Sequence, residues 1–269
     1  MRTVTYPQAS VVGGMAPLTM LCAPASAGSF PIGSTVVMCT VTDARSRTDT
    51  CTFTVTVQPP PRIGATRIVA FGDSMSDGVI GFAPFAVGDP GPPVGYAFKL
   101  RSLLAARYTA QNFSVTDEGV PGEAIASGMG RLPGVLSRDA PEVLLLLEGV
   151  NDLNAGHDAA IPAVVNGLRT MVRVARGRGI VVFLGTLLPQ RPGGFRASAV
   201  ASIVPANNLI RSMAAAEGAG VVLVDLYQAF DGQTDTLLGA DGLHPNDLGY
   251  QKMAETFFAA IRARLEAPS

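Results

Sequence analysis

Four short segments carry the residue types that could do chemistry: Phe71-Gly-Asp-Ser-Met-Ser-Asp-Gly78, Glu118-Gly-Val-Pro-Gly122, Glu148-Gly-Val-Asn-Asp152 and Asp241-Gly-Leu-His-Pro245. Ser74 is a candidate nucleophile, but a serine hydroxyl is weak until a base takes its proton. His244 is the natural base, because the chain has only 2 histidines. Asp241 lies three residues before it, a spacing that lets the carboxylate hold one ring nitrogen while the other faces Ser74. Such a trio attacks an acyl carbon. The chain's only Gly-x-Ser is Gly72-Asp-Ser74, with no Gly-x-Ser-x-Gly nucleophile elbow. No His-Glu-x-x-His or P-loop pattern occurs either, so neither a zinc protease nor a nucleotide-phosphate site is indicated.

Each segment should fall where a strand gives way to a loop. From Gly64 onward, apolar runs alternate with helical patterns. Strands are predicted at Arg67–Phe71, Phe113–Thr116, Glu142–Leu147, Ile180–Gly185 and Val221–Leu226, the third as a strand buried on both faces. Helices are predicted over Pro93–Tyr108, Ala160–Arg176, Val200–Ala216 and Asp247–Leu265. Five strands alternating with helices imply a mainly parallel sheet covered on both sides, a three-layer α/β/α domain. Ser74 then stands at the carboxyl edge of the sheet, where open α/β folds place their sites.

The four segments together, in this order, resemble the SGNH-hydrolase superfamily, the GDSL esterases and lipases, from about Gly64 to the C-terminus. The resemblance implies a flavodoxin-like sheet and a metal-independent, cofactor-free carboxylic-ester hydrolase acting through an acyl-enzyme. It also implies an oxyanion hole built from the backbone N–H of Ser74, the backbone N–H of Gly119 and the side-chain amide of Asn151. The family often has an asparagine two residues before its second-block glycine; Asp117 stands there instead. A small-acyl or carbohydrate-ester substrate fits this reading, with a thioesterase or lysophospholipase as the alternative within the family.

Residues 1–58 differ in kind. In Cys51-Thr-Phe-Thr-Val-Thr-Val57 the cysteine, phenylalanine and valines alternate with threonines, the period of a half-buried strand. Thr35–Thr42 is its expected partner, with Asp43–Asp49 as the turn. This small all-β sandwich closes at a Pro-rich linker, residues 59–63, that leads into the domain at 64–269. The segments Cys22-Ala-Pro, Phe30-Pro-Ile-Gly33, Cys39-Thr-Val-Thr-Asp43 and Cys51-Thr-Phe-Thr-Val55 resemble a hyalin-repeat module, an immunoglobulin-like adhesion or spacer domain. On that resemblance a preceding strand with its own cysteine is missing, Cys22 is expected to pair with Cys39, and Cys51 is left over. An adhesion or carbohydrate-binding role for this module is the competing function class.

Composition narrows the field further. With 20 basic and 21 acidic residues and no basic run, a nucleic-acid partner is not expected. No run of 18 apolar residues is present, so no membrane insertion is expected. Nor does a charged stretch followed by an apolar one open the chain. All 3 cysteines lie before the linker, which argues for a disulfide and a secreted or periplasmic location rather than a thiol-based site. Two aperiodic loops, Val79–Gly95 and Pro189–Ala199 with Arg191 and Arg196, are candidates for the substrate wall. His157 reads as a loop residue. The partner expected is a small-molecule or polysaccharide ester; oligomeric state has no sequence signal.

Overall fold

In the computed structural model, which describes residues 1–81 and 95–267, the chain divides into two units, Met1–Pro61 and Arg62–Ala267. The first unit holds strands β1 (Arg2–Val4), β2 (Thr19–Ala23), β3 (Gly28–Phe30), β4 (Gly33–Thr42) and β5 (Thr48–Val57). β1 and β3 form an antiparallel pair, and β2, β4 and β5 form an antiparallel sheet with β4 in the middle. The predicted alternation holds along β5, where Thr52, Thr54 and Thr56 are exposed while Phe53 and Val55 are half-buried and Val57 is buried. Phe30, Val37, Cys39 and Val57 make the small core, with Tyr6 edge-on to Phe53. The turn before β5 is organised by Asp43, whose carboxylate accepts the backbone N–H groups of Arg45 and Arg47 and the Arg47 guanidinium.

Cys22 is disulfide-bonded to Cys39, as expected, and Cys51 is free and exposed. Cys51 lies opposite Cys39 in the β4–β5 register, so it shares the inward face yet stays uncovered. A maleimide added to folded, unreduced protein is expected to label Cys51 alone. Label on Cys22 or Cys39, read by peptide mass, would contradict the pairing.

The second unit is built on a five-stranded, wholly parallel sheet of β6 (Arg67–Gly72), β7 (Ser114–Gly119), β8 (Val143–Leu147), β9 (Val181–Gly185) and β10 (Val221–Val224). The order across the sheet is β10-β9-β8-β6-β7. β8 is buried along its whole length, which is why its sequence is an unbroken apolar run. The helices are α1 (Ser74–Asp77), α2 (Tyr96–Arg107), α3 (Ile125–Asp139), α4 (Val150–Gly156), α5 (Ile161–Arg176), α6 (Val200–Glu217), α7 (Leu226–Phe230), α8 (Thr234–Leu237) and α9 (Asp247–Leu265). α3, α5 and α6 pack in succession, and α2 packs on α9.

α3 has no counterpart among the predicted helices. Gly128, Gly130, Pro133 and Gly134 lower its intrinsic propensity. Burial of Ile125, Leu132, Val135 and Leu136 along one face holds it nonetheless. The expected helix over Pro93–Tyr108 is observed at Tyr96–Arg107, and residues 93–94 lie outside the described residues. Most of the Val79–Gly95 loop, residues 82–94, also lies outside them.

The strand order reverses at β6. The chain leaves β6 for β7 on one side, then crosses back to β8 on the other, which makes the carboxyl ends of β6 and β8 the switch point where open α/β sheets place their sites. Gly72 ends β6 opposite Leu147, and a Cβ on it would stand 1.8 Å from the Leu147 carbonyl oxygen. Only glycine lets the two strands exit this close together.

Candidate active site

Ser74 opens α1 directly after β6. Asp73 caps that turn, its Oδ1 accepting the Met75 N–H at 2.9 Å, and Gly78 closes it in the left-handed region at φ 88°. The first residue of a helix has no acceptor four residues back, and the Ser74 N–H has no acceptor among the described residues. Tyr250 of α9 fastens the other end, donating its hydroxyl to the Val79 carbonyl at 2.6 Å.

His244 and Asp241 reach the same place from the far end of the chain. The Ser74 hydroxyl lies 2.8 Å from His244 Nε2, and His244 Nδ1 lies 2.5 Å from Asp241 Oδ2. The second carboxylate oxygen, Oδ1, accepts the backbone N–H groups of Leu243 and His244, both at 3.0 Å. One carboxylate thus both folds its own loop and holds the ring. Burial pushes the Asp241 carboxyl up, but the His244 ring and the two backbone donors outweigh it and keep it below the usual range. An ionised Asp241 places the proton on Nδ1 and leaves the Nε2 lone pair for the Ser74 hydroxyl. All three residues are buried, Ser74 at 5% exposure being the most accessible.

The Pro189–Ala199 loop, a candidate substrate wall, braces this arrangement. The Arg191 backbone N–H donates to the Gly242 carbonyl, and its guanidinium donates to the carbonyls of Gly239 and Ala240. Gly194 lies so near that a Cβ on it would meet the Asp241 carbonyl oxygen at 2.4 Å. His157 is exposed at the start of a short 3-10 turn and takes no part in the cluster.

The three expected oxyanion donors fare differently. Asn151, in the first turn of α4, donates from Nδ2 to the Glu123 carbonyl at 2.9 Å, which leaves its second amide hydrogen available. Gly119 does not offer a free donor: its N–H is taken by Asp117 Oδ1 at 2.9 Å. A Cβ on Gly119 would also stand 2.0 Å from the Asp77 nitrogen, so this glycine serves close packing against α1. Burial lifts the Asp117 carboxyl to about 6.

Gly122, which sequence reasoning did not single out, offers a free N–H in the same loop. Glu123 N–H bonds the Val120 carbonyl at 3.0 Å around Pro121 and Gly122, and Gly122 has φ 78°. That is a type II turn, with proline second and glycine third. The Gly122 N–H has no acceptor among the described residues, and nothing lies within 4 Å of its would-be Cβ. Asn151 is bonded to the next residue of the same turn. Two signals were present in the sequence: Pro121-Gly122 as a turn pair, and Asp117 as an Asx residue able to consume the N–H two positions on.

Residues 70–252 match the GDSL-like Lipase/Acylhydrolase family, and residues 4–57 match the HYR domain, the hyalin-repeat module. The chain belongs to the GDSL-like lipase/acylhydrolase family, with the SGNH-hydrolase fold. A multidomain esterase of Ruminococcus flavefaciens is 28% identical over 148 residues, 51% of this chain and 19% of that protein. An acetylxylan esterase of Xylanibacter ruminicola is 24% identical over 231 residues, 76% of this chain and 45% of that protein. The chain thus spans less than half the length of these two relatives. Among solved structures, the lipase/acylhydrolase of Enterococcus faecalis superposes with a TM-score of 0.62 at 24% identity, covering 76% of this chain and 99% of that one.

Proposed function

We propose that this protein is a serine-dependent carboxylic-ester hydrolase that works through an acyl-enzyme. The observation that carries the reading is the unbroken hydrogen-bond path from Ser74 Oγ through the His244 ring to Asp241. His244 Nε2 takes the hydroxyl proton as Ser74 Oγ attacks the acyl carbon, and Asp241 steadies the imidazolium. The oxyanion that forms is met by N–H groups of Ser74, Gly122 and Asn151, each such donor being worth roughly 3–4 kcal/mol. His244 then returns the proton to the leaving alcohol. Water, activated by the same ring, attacks the acyl-enzyme and frees the acid.

For the substrate we propose acetyl or other short-chain esters, carbohydrate esters among them. The acetylxylan esterase among the relatives supports this class. Among the described residues no helix is long and apolar enough to cross a membrane. The Cys22–Cys39 disulfide supports an oxidising, extracytoplasmic location, and residues 1–61 then act as a spacer or targeting module.

The test is hydrolysis of p-nitrophenyl esters from acetate to palmitate, with acetate release from acetylated xylan beside it. Rates are expected to be highest on acetate and to fall with chain length. A maximum at long chains would overturn the substrate class, and loss of preference for oxygen esters over thioesters would move the enzyme to the thioesterase branch.

A further inference from the structure

The esterase reading gives no task to the acid Glu148. Glu148 follows β8, is 1% exposed, and neither of its carboxyl oxygens has a hydrogen-bond partner among the described residues. Asp73, the cap of the nucleophile turn, is equally buried, and its Oδ2 likewise has no partner among the described residues. The two are neighbours by register: Gly72 and Leu147 pair across β6 and β8, so Asp73 and Glu148 leave adjacent strands side by side. Between Glu148 and α3 the space is left by Gly128, whose would-be Cβ stands 3.4 Å from Glu148 Oε2 and 3.5 Å from Glu123 Oε2.

An ionised carboxylate with no donor in such a place costs several kcal/mol, and the group stays neutral instead. The charged groups around it push the same way. Asp73 faces it from the β6–α1 junction, Glu123 from the turn before α3 and Asp152 from α4, all acidic. Among the described residues Arg131 of α3 opposes them, and it is committed to Glu123 at 2.5 Å. Burial, then these acids, lift Glu148 to about 10, and burial lifts Asp73 to about 7. Such a pair gives up its protons in two steps that belong to both residues.

We propose that Glu148 is a positioning residue that works as a neutral acid: it and Asp73 retain one proton between them, which keeps a second anion from forming behind Ser74 and Asn151 where the oxyanion develops. The catalytic part rests on the esterase reading. The protonation part does not.

Folding with a neutral Glu148 takes up a proton that the unfolded chain has lost above the ordinary carboxylate range. Stability is therefore fully present below that range and drains away as pH rises toward about 10. Glu148→Gln removes the slope. The melting temperature should be compared for Ser74→Ala and Ser74→Ala/Glu148→Gln, so that turnover plays no part. The margin in favour of the glutamine variant is expected to widen steadily as pH rises from about 5 to about 9; a margin independent of pH overturns the proposal. If the glutamine variant does not fold, infrared spectroscopy of the parent protein decides. A protonated-carboxyl C=O band that persists at pH 8 supports the proposal, and no such band overturns it. For the catalytic part, Glu148→Gln alone should keep kcat and KM near parent values and lose the parent's fall in kcat at alkaline pH. An unchanged alkaline limb, or loss of turnover at every pH in a folded variant, overturns that part. No turnover in the parent either would instead be a failure of the esterase reading.

Discussion

Ser74→Ala is expected to lower kcat/KM on an acetate ester by on the order of 10⁵-fold or more, with the fold intact. The proposed reaction has one atom that forms the covalent bond, and the alanine lacks it. Losing the hydroxyl removes one hydrogen bond to His244 and leaves a space smaller than a water, so melting should shift little. The free N–H groups of Ser74 and Gly122 and the Asn151 amide remain, and these account for residual hydrolysis above the rate in water. Steady-state rates with a pre-steady-state burst of product provide the measurement. The burst should equal one acyl group per parent chain and vanish in the variant. Turnover retained within tenfold would remove Ser74 as nucleophile.

Asp241→Asn should cost about 10⁴-fold in kcat while leaving KM near the parent value. The reason lies in the division of labour between the two carboxylate oxygens. Oδ1 holds two backbone N–H groups and Oδ2 holds His244 Nδ1. An asparagine has one acceptor for those two duties. If its oxygen keeps the backbone donors, its NH₂ meets Nδ1, the ring proton moves to Nε2, and the base toward Ser74 is gone. If its oxygen takes the ring instead, the NH₂ confronts two backbone donors and the Asp241–His244 loop opens. A variant within tenfold of the parent would show that the ring needs no carboxylate here.

Part of the candidate site is legible in the sequence because its residues are rare or costly. Two histidines in the chain, one of them three residues after an aspartate, left little choice of base. The glycines carried no such mark. Gly119 ends β7 and Gly122 follows it, and a residue without a side chain does not announce whether it offers an N–H or merely permits close approach. The Asp117 carboxylate on the Gly119 N–H and the type II turn at Gly122 separated the two roles. α3 escaped for a similar reason, since its stability comes from a buried face rather than from residues that favour helix.

Strand alternation and the parallel α/β class were legible in the sequence alone, because period is a local property of the chain; residue scarcity and motif order marked the proposed nucleophile and base, and the resemblance to the hyalin-repeat module supplied the disulfide partner. Tertiary structure decided which N–H groups are free, that Arg191 and Gly194 brace the Asp241–His244 loop, and that Asp73 Oδ2 and both Glu148 carboxyl oxygens are buried with no hydrogen-bond partner among the described residues. Those are matters of who competes for a hydrogen bond and who is screened from water. Both depend on residues far apart in the chain, such as Gly72 and Leu147, meeting at one edge of the sheet.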